Sequence, residues 1–301
     1  MAISRATHPK ALWPGVKAWW GREYDEHEEQ FPMLFDIEDS DKAYEEDVEI
    51  TGFGLAPVKR EGVAHVYDEE TQGSTSRYVH VAYGLGYIVT FEEWRDNLYE
   101  KVSKTRARAL AFSFRQTKEN VAANVYNRAF NTAYTGGDGK ALCVADHPGV
   151  GVPYSNVLAV PADLSEASVE DLIIQIDGAT DARGMKIGIK AKSLVAPRQE
   201  RFNAARIFKS VMQNDTGNNA INALRATNAL PDGVKINTYL SSDSAFFIRT
   251  NVTDGMKMYI RDPIMFDKDD DFHSKNLLAA GYERYSVGWT DPRGVFASAG
   301  V

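Results

Sequence analysis

The spacing of apolar positions along the chain changes several times, and each change marks an element. Between Gly86 and Gly136 there is neither glycine nor proline, and Trp94, Leu98, Val102, Ala109, Phe112, Val125 and Ala129 recur at helical spacing. Lys101, Lys104, Arg106, Arg108, Arg115 and Lys118 supply a basic complement to that face, and Thr90 with Glu93 forms a T-x-x-E capping signal at its start. The pattern predicts a long helix, since about 40 residues at a rise of about 1.5 Å each reach roughly 60 Å. The apolar face thins over Gln116 to Asn120, where a break is expected. Two ordinary helices packed back to back are the alternative.

Before that helix the period falls to two. Val63 to Tyr67 and Arg77 to Tyr83 are short alternating runs joined by the polar stretch Asp68 to Ser76, which contains Gly73. They predict a long β-hairpin within 48–89. In the second run Tyr78, His80 and Ala82 face one side and Val79, Val81 and Tyr83 the other, so both faces carry apolar area. A lone ribbon of this kind is marginal in water and needs another surface to lie on. Beyond an irregular segment, Cys143 to Pro161, the pattern turns mixed. Ser168 to Ala182 and Arg198 to Met212 read as helices. Ser193 to Ala196, Lys235 to Leu240, Ala245 to Arg249 and Met256 to Ile260 read as strands, with further strands in Leu277 to Ser298 around a Trp289 to Gly294 turn.

Charge changes the picture at the N-terminus. From Arg22 to Glu49 there are thirteen acidic residues against two bases, Arg22 and Lys42. Trp13, Trp19, Trp20, Tyr24, Phe31, Leu34, Phe35 and Tyr44 are interleaved with or precede them, far more apolar surface than a disordered acidic tail carries. The segment reads as an arm seeking a partner, or equally as a first amphipathic helix of the domain itself. A net charge of -8 argues against a dedicated nucleic-acid binder but suits the wall of a container for DNA. No stretch approaches the roughly 20 apolar residues that span a bilayer, and Met1 to Gly21 has no apolar signal core, so no membrane role and a cytoplasmic origin are expected. The single cysteine, Cys143, lies between Leu142 and Val144 and reads as a small core hydrophobe.

Signatures of chemistry fail where the physics needs a particular residue. Gly139-Lys140-Ala141 lacks the hydroxyl of a phosphate-binding loop, and Gly84-Leu85-Gly86 meets Val89 where a dinucleotide fold needs a third glycine. Asp267, Asp269 and Asp271 open like a calcium loop, but Phe272 replaces its turn glycine and Leu278 its bidentate glutamate. His27-Glu28 has no second zinc-ligand histidine, and no G-x-S-x-G elbow exists. Asp146-His147 alone stays as an acid–base candidate, against a loop-fixing role. No catalytic, cofactor-binding or metal residue is assigned.

The order of features, acidic aromatic arm, hairpin, long helix, mixed region and closing strands, resembles the Hong Kong 97-type capsid subunit of tailed bacteriophages. Gly139-Lys140-Ala141-Leu142 followed by Asp146-His147-Pro148, then Ser155-Asn156, Leu194-Val195-Ala196-Pro197 before a helix, and Asp291-Pro292-Arg293-Gly294-Val295 resemble the Mu-like phage major head subunits more specifically. The resemblance implies an α+β fold divided into an N-terminal arm (1–47), an extended β-hairpin loop (48–89), a peripheral domain with a spine helix (90–165), an axial domain (166–255) and closing peripheral strands (256–301). It implies no enzymatic activity and no cofactor, but hexamers and pentamers tiling an icosahedral shell around double-stranded DNA, with portal and scaffold proteins as partners. Trp19, Trp20, Glu28, Glu29, Lys59, Arg77, Tyr78, Arg106 and Arg108 become the candidate inter-subunit contacts, with the acidic arm pairing the basic helix between copies. The rival readings are an encapsulin-like cargo shell, which shares the fold, and a cytoplasmic hydrolase using Asp146 and His147.

Overall fold

Two four-stranded sheets share one long helix and one core. The computed structural model describes residues 28–95, 99–149, 153–213 and 220–301. The first sheet has the order β1-β8-β9-β4, built from β1 (Asp36–Asp39), β4 (Val81–Val89), β8 (Met256–Asp270) and β9 (Leu277–Trp289). The second has the order β10-β7-β5-β6, from β5 (Ala191–Pro197), β6 (Val234–Asn237), β7 (Phe246–Thr250) and β10 (Val295–Ser298). A separate ribbon pairs β2 (Tyr44–Thr51) with β3 (Thr71–Val79). The helices are α1 (Phe91–Arg95), α2 (Tyr99–Asn127), α3 (Glu166–Asp177), α4 (Arg201–Lys209) and α5 (Ala223–Ala226). Among the described residues no helix is long and apolar enough to cross a membrane.

The second sheet is buried on both faces, which is why its strands read as near-continuous apolar runs. Val195, Phe247, Val295 and Ala297 face the shared core, where Tyr126 of α2 meets the Phe247 ring edge-on at 5.1 Å. Leu194, Phe246, Ile248 and Phe296 face the other way, under α3, α4 and α5. α3 starts where the sequence permits it: the Ser165 hydroxyl accepts from Ser168 N at 3.2 Å, Ser168 Oγ accepts from Ser165 N at 3.0 Å, and Gly178 ends the helix.

The long helix departs from expectation at three points. It runs unbroken through Gln116 to Asn120, because the buried face that looks polar there is filled by charges that find partners. Lys118 Nζ lies 2.8 Å from Glu283 Oε2, Arg115 pairs with Glu29, and Glu119 accepts from the backbone N–H of Gln30 at 2.8 Å. It ends at Asn127, and 128–135 form turns. The capping box is half made: Thr90 Oγ1 accepts from Glu93 N, but the Glu93 carboxylate turns to Arg106.

The hairpin differs more. Val63 to Tyr67 is not a strand, and the partner of β3 is β2, drawn from the acidic segment assigned to the arm. Arg77 to Tyr83 is divided at His80 between the ribbon and the first sheet. The acidic stretch escaped recognition as a strand because its alternation is inverted. Glu45, Asp47 and Glu49 point toward the body, while Tyr44, Val48 and Ile50 point outward. The inward carboxylates meet cations: Asp47 lies 2.8 Å from Lys257 Nζ, Glu49 3.5 Å from Arg293 and Glu45 2.9 Å from Lys42. The described part of the arm is therefore no free arm. Phe31, Leu34 and Phe35 are in the shared core, and β1 pairs parallel with β8. β10, grouped above with the closing peripheral strands, instead completes the second sheet beside β7.

Candidate assembly surfaces

Asp146 and His147 do not act together. Asp146 is exposed and 2.5 Å from Lys140 Nζ, whose hydrogen bond holds its carboxyl below the usual carboxylate range. His147 is fully buried, its Nδ1 2.7 Å from Asp138 Oδ2 and its Nε2 3.2 Å from Asn156 Oδ1. Asn156 is the centre of this knot. Its side chain accepts from Val144 N at 2.9 Å and donates to the carbonyls of Leu142, Pro292 and Val295 at 2.6–3.1 Å. The arrangement fixes a glycine-rich loop against the chain's last strand, and Nε2, facing Asn156 in a buried site, has no open position for a substrate. Cys143 is buried beside it, and burial pushes its thiol well above its ordinary value, so a nucleophilic thiolate is suppressed. Among the described residues no cluster of His, Cys, Asp and Glu could hold a metal ion. Of the calcium-like aspartates, Asp271 accepts from the backbone N–H groups of His273 and Ser274 and so caps the β8–β9 turn.

What the fold does present is a ribbon rooted in a buried ionic network. Asp47 of β2 accepts from Lys257 Nζ and Thr290 Oγ1, both at 2.8 Å, and from Tyr259 Oη at 3.2 Å. Thr290 also bonds Tyr78 Oη at 2.7 Å, and Lys257 reaches Asp254 at 2.7 Å. Burial works against the Asp47 charge, but the bonds from Lys257 and Thr290 prevail and lower its pKa. Where β3 passes into β4, His80 is buried between two hydroxyls, Ser40 Oγ at 3.1 Å and Ser286 Oγ at 3.0 Å. Burial, then the nearby Arg284, push its pKa down. The root is thus fixed, and the tip is not covered: every residue of 52–70 is exposed, including Phe53, Leu55, Val58 (93%), Val63, Val66 and Tyr67 (91%). Its tie to the second sheet's domain is Arg183, whose Nη1 lies 2.6 Å from Asp68 Oδ2, which also accepts from Gly54 N at 2.7 Å.

The nine contact candidates separate accordingly. Trp19 and Trp20 lie outside the described residues. Tyr78 is buried within its own chain, so it is corrected from a surface contact to a ribbon-root residue. Glu29 of the arm pairs with Arg115 of α2 within the chain, and Arg106 makes a bidentate pair with Glu93 of α1 at 3.0–3.1 Å. Arg77 covers the Tyr44 ring at 3.9 Å and lies 3.5 Å from Glu46, on the ribbon's outward face. Glu28, Lys59 and Arg108 are exposed. The apolar tip residues and the outward side chains of β2 were missing from that set. Val63, Val66 and Tyr67 could have been found by asking which apolar residues lie in a segment too polar to be core.

A family model described as phage capsid protein matches residues 73–298, well over half of the chain. None of the curated proteins matches. Among solved structures, the chain is similar to the virus-like particle from Pyrococcus furiosus, with 10% identity, a TM-score of 0.52, and 94% of this chain and 97% of that chain covered. It is similar to the capsid of Myoviridae Phage XM1, with 13% identity, a TM-score of 0.51 and 89% of each chain covered. A chain from Mycobacterium phage Adephagia gives 12% identity, a TM-score of 0.52 and 90% of each chain. At such identities the likeness speaks for the fold, and that fold is the Hong Kong 97-type. Sheets, spine helix and outward ribbon, together with the family match, make this chain a structural major capsid protein that belongs to the phage capsid protein family.

Proposed function

We propose that this capsid protein assembles into hexamers and pentamers of an icosahedral head, formed in the host cytoplasm around double-stranded DNA with portal and scaffold proteins, and that each copy lays its ribbon tip on a neighbour. The exposed tip carries the proposal. Six large apolar side chains stand in water there. Burying them is worth roughly 1.5–3 kcal/mol each, on the order of 10 kcal/mol in gross terms before the costs of association. A segment with no core of its own gains that energy only against another surface, and repeated head-to-tail contacts of one patch with another close into rings. The Asp47 network keeps the ribbon's root stiff, so the tip projects in one direction.

The test is assembly. Purified chain is expected to elute as capsomers or shells and to appear as such by negative-stain microscopy, and particles recovered from infected cells are expected to hold nuclease-protected DNA and a portal. A V58D/Y67D variant should keep the parent's unfolding midpoint and lose the shells. Shells formed by that variant as readily as by the parent, or a parent that stays a single subunit at tens of micromolar, would overturn the reading.

A further inference from the structure

The second sheet's domain carries a groove that the assembly surfaces above do not use. It lies between α4, α5 and β6, the edge strand of its sheet, and encloses ≈ 490 Å³. Phe208, Leu224, Val234 and Ile236 form an apolar floor. Arg201, Lys209 and Arg225 stand in its wall, and no acidic side chain does. Among the described residues none of these cations is in an ion pair; Arg225 donates to the Lys209 carbonyl at 2.8 Å and keeps further donors. Such a groove fits a surface that is apolar and acidic together.

The same domain carries that surface on α3. The helix turns Val169, Leu172 and Ile176 into the core, and its opposite face presents Ala167, Glu170, Asp171, Ile174 and Asp177 at helical spacing. Ile174 is 69% exposed there. α3 holds four acidic residues and no basic one, and among the described residues none of the four has a cationic partner. It lies on the β10 side of the sheet: Gln175 donates to the carbonyls of Ser155 and Val157 at 2.8 and 3.2 Å, and Val157 runs parallel beside Ala297 of β10. The groove opens at β6, the other edge. Both surfaces are fixed to one core, so a chain cannot bring its own α3 face to its own groove, and the face that fills the groove comes from a second copy. A patch toward one edge that fits a different patch at the other joins copies head to tail, the kind of contact that closes into a ring.

We propose that the outer face of α3 seats in this groove on the next copy, with Ile174 on the apolar floor and Glu170, Asp171 and Asp177 facing Arg201, Lys209 and Arg225. The inference rests on the ring assembly proposed above and names a contact in it separate from the ribbon tip. The test uses the full chain. In I174C/A205C, mild oxidation of assembled particles is expected to give a ladder of covalent oligomers ending at pentamers and hexamers on non-reducing gels, whereas I174C and A205C alone stay single. D171K/D177K and R201E/K209E should each raise the subunit concentration needed for half-assembly about tenfold or more without moving the unfolding midpoint, and their combination should bring it back to within about threefold of the parent. Arg225 is left in place because it caps the end of α4. Parent shells with no ladder in I174C/A205C, or charge reversals that do not rescue one another, would overturn this contact and leave the ring assembly standing. A parent that stays a single subunit would overturn the ring assembly itself, and the contact with it.

Discussion

Replacing Lys118 by Met isolates a buried charge and lets its cost be worked out. Lys118 and Glu283 are both buried, Glu283 completely, and their charged atoms are 2.8 Å apart on facing surfaces of α2 and β9. Burial raises the Glu283 pKa from its ordinary value of 4.5, opposed by Lys118 and more distantly by Arg115. Met keeps the aliphatic packing near Phe31 and Tyr285 but removes the main opposing charge. The carboxylate then takes up a proton on folding. At pH 7 that costs about 1.36 kcal/mol for each of roughly 2.5 pH units, or about 3.4 kcal/mol, which caps the loss and falls in the range for breaking a buried pair. The cap sets the sign of the pH dependence: the unfolded chain holds fewer protons than the variant's folded state above pH 4.5, so the penalty shrinks as pH falls, to about 0.7 kcal/mol at pH 5. Denaturant unfolding of single subunits at pH 7 and pH 5 measures both values. K118M/E283L, which removes both charges, should recover most of the stability at pH 7. A loss for K118M below 1 kcal/mol at pH 7, or one equally large at pH 5, would refute the reasoning.

Two further perturbations follow from the same kind of site. Asn156→Ala strands Val144 N–H and three buried carbonyls at once, and a loss of about 3 kcal/mol in unfolding free energy is expected, against under 1 kcal/mol for truncation of exposed Ser241. His80, with its folded pKa below the ordinary 6.5, gives stability that is complete above pH 6.5 and lost as pH falls below it, because the unfolded state takes up the proton first. The parent's unfolding midpoint should therefore fall between pH 7.5 and 5.5 more steeply than that of His80→Gln; equal slopes would remove His80 from the account.

The sequence revealed its elements where one face of a segment is apolar and failed where burial is ionic. β5 and β7 were legible as apolar runs, and α3 by the spacing of Val169, Leu172 and Ile176. The α2 interior was misread at Gln116 to Asn120 because Arg115, Lys118 and Glu119 look solvent-facing until Glu29, Glu283 and Gln30 are brought to them from 86 or more residues away in the chain. β2 was hidden for the same reason. Asp47 signals a core position only to a reader who knows that Lys257 and Thr290 face it. His147 and Asn156 were noticed as a resemblance to head subunits, and their role as a structural knot, with Asp138 as the third member, emerges only from the closure of the loop.

The inverted strand also explains why the ribbon suits a shell. An ordinary edge ribbon points its apolar side chains at its own domain and its charges at water. Here the charges point inward, where Lys257 and Arg293 neutralise them, and Val48 and Ile50 are left outside in line with the apolar tip. Burial of apolar surface is non-directional and would let the ribbon settle on its own body. Ionic pairing at the root holds it by Asp47 and Glu49 instead, so its apolar area stays exposed. A strand with Val and Ile inward and acids outward would stabilise one subunit further and, if the ribbon lies on a neighbour as proposed, weaken its association with the next.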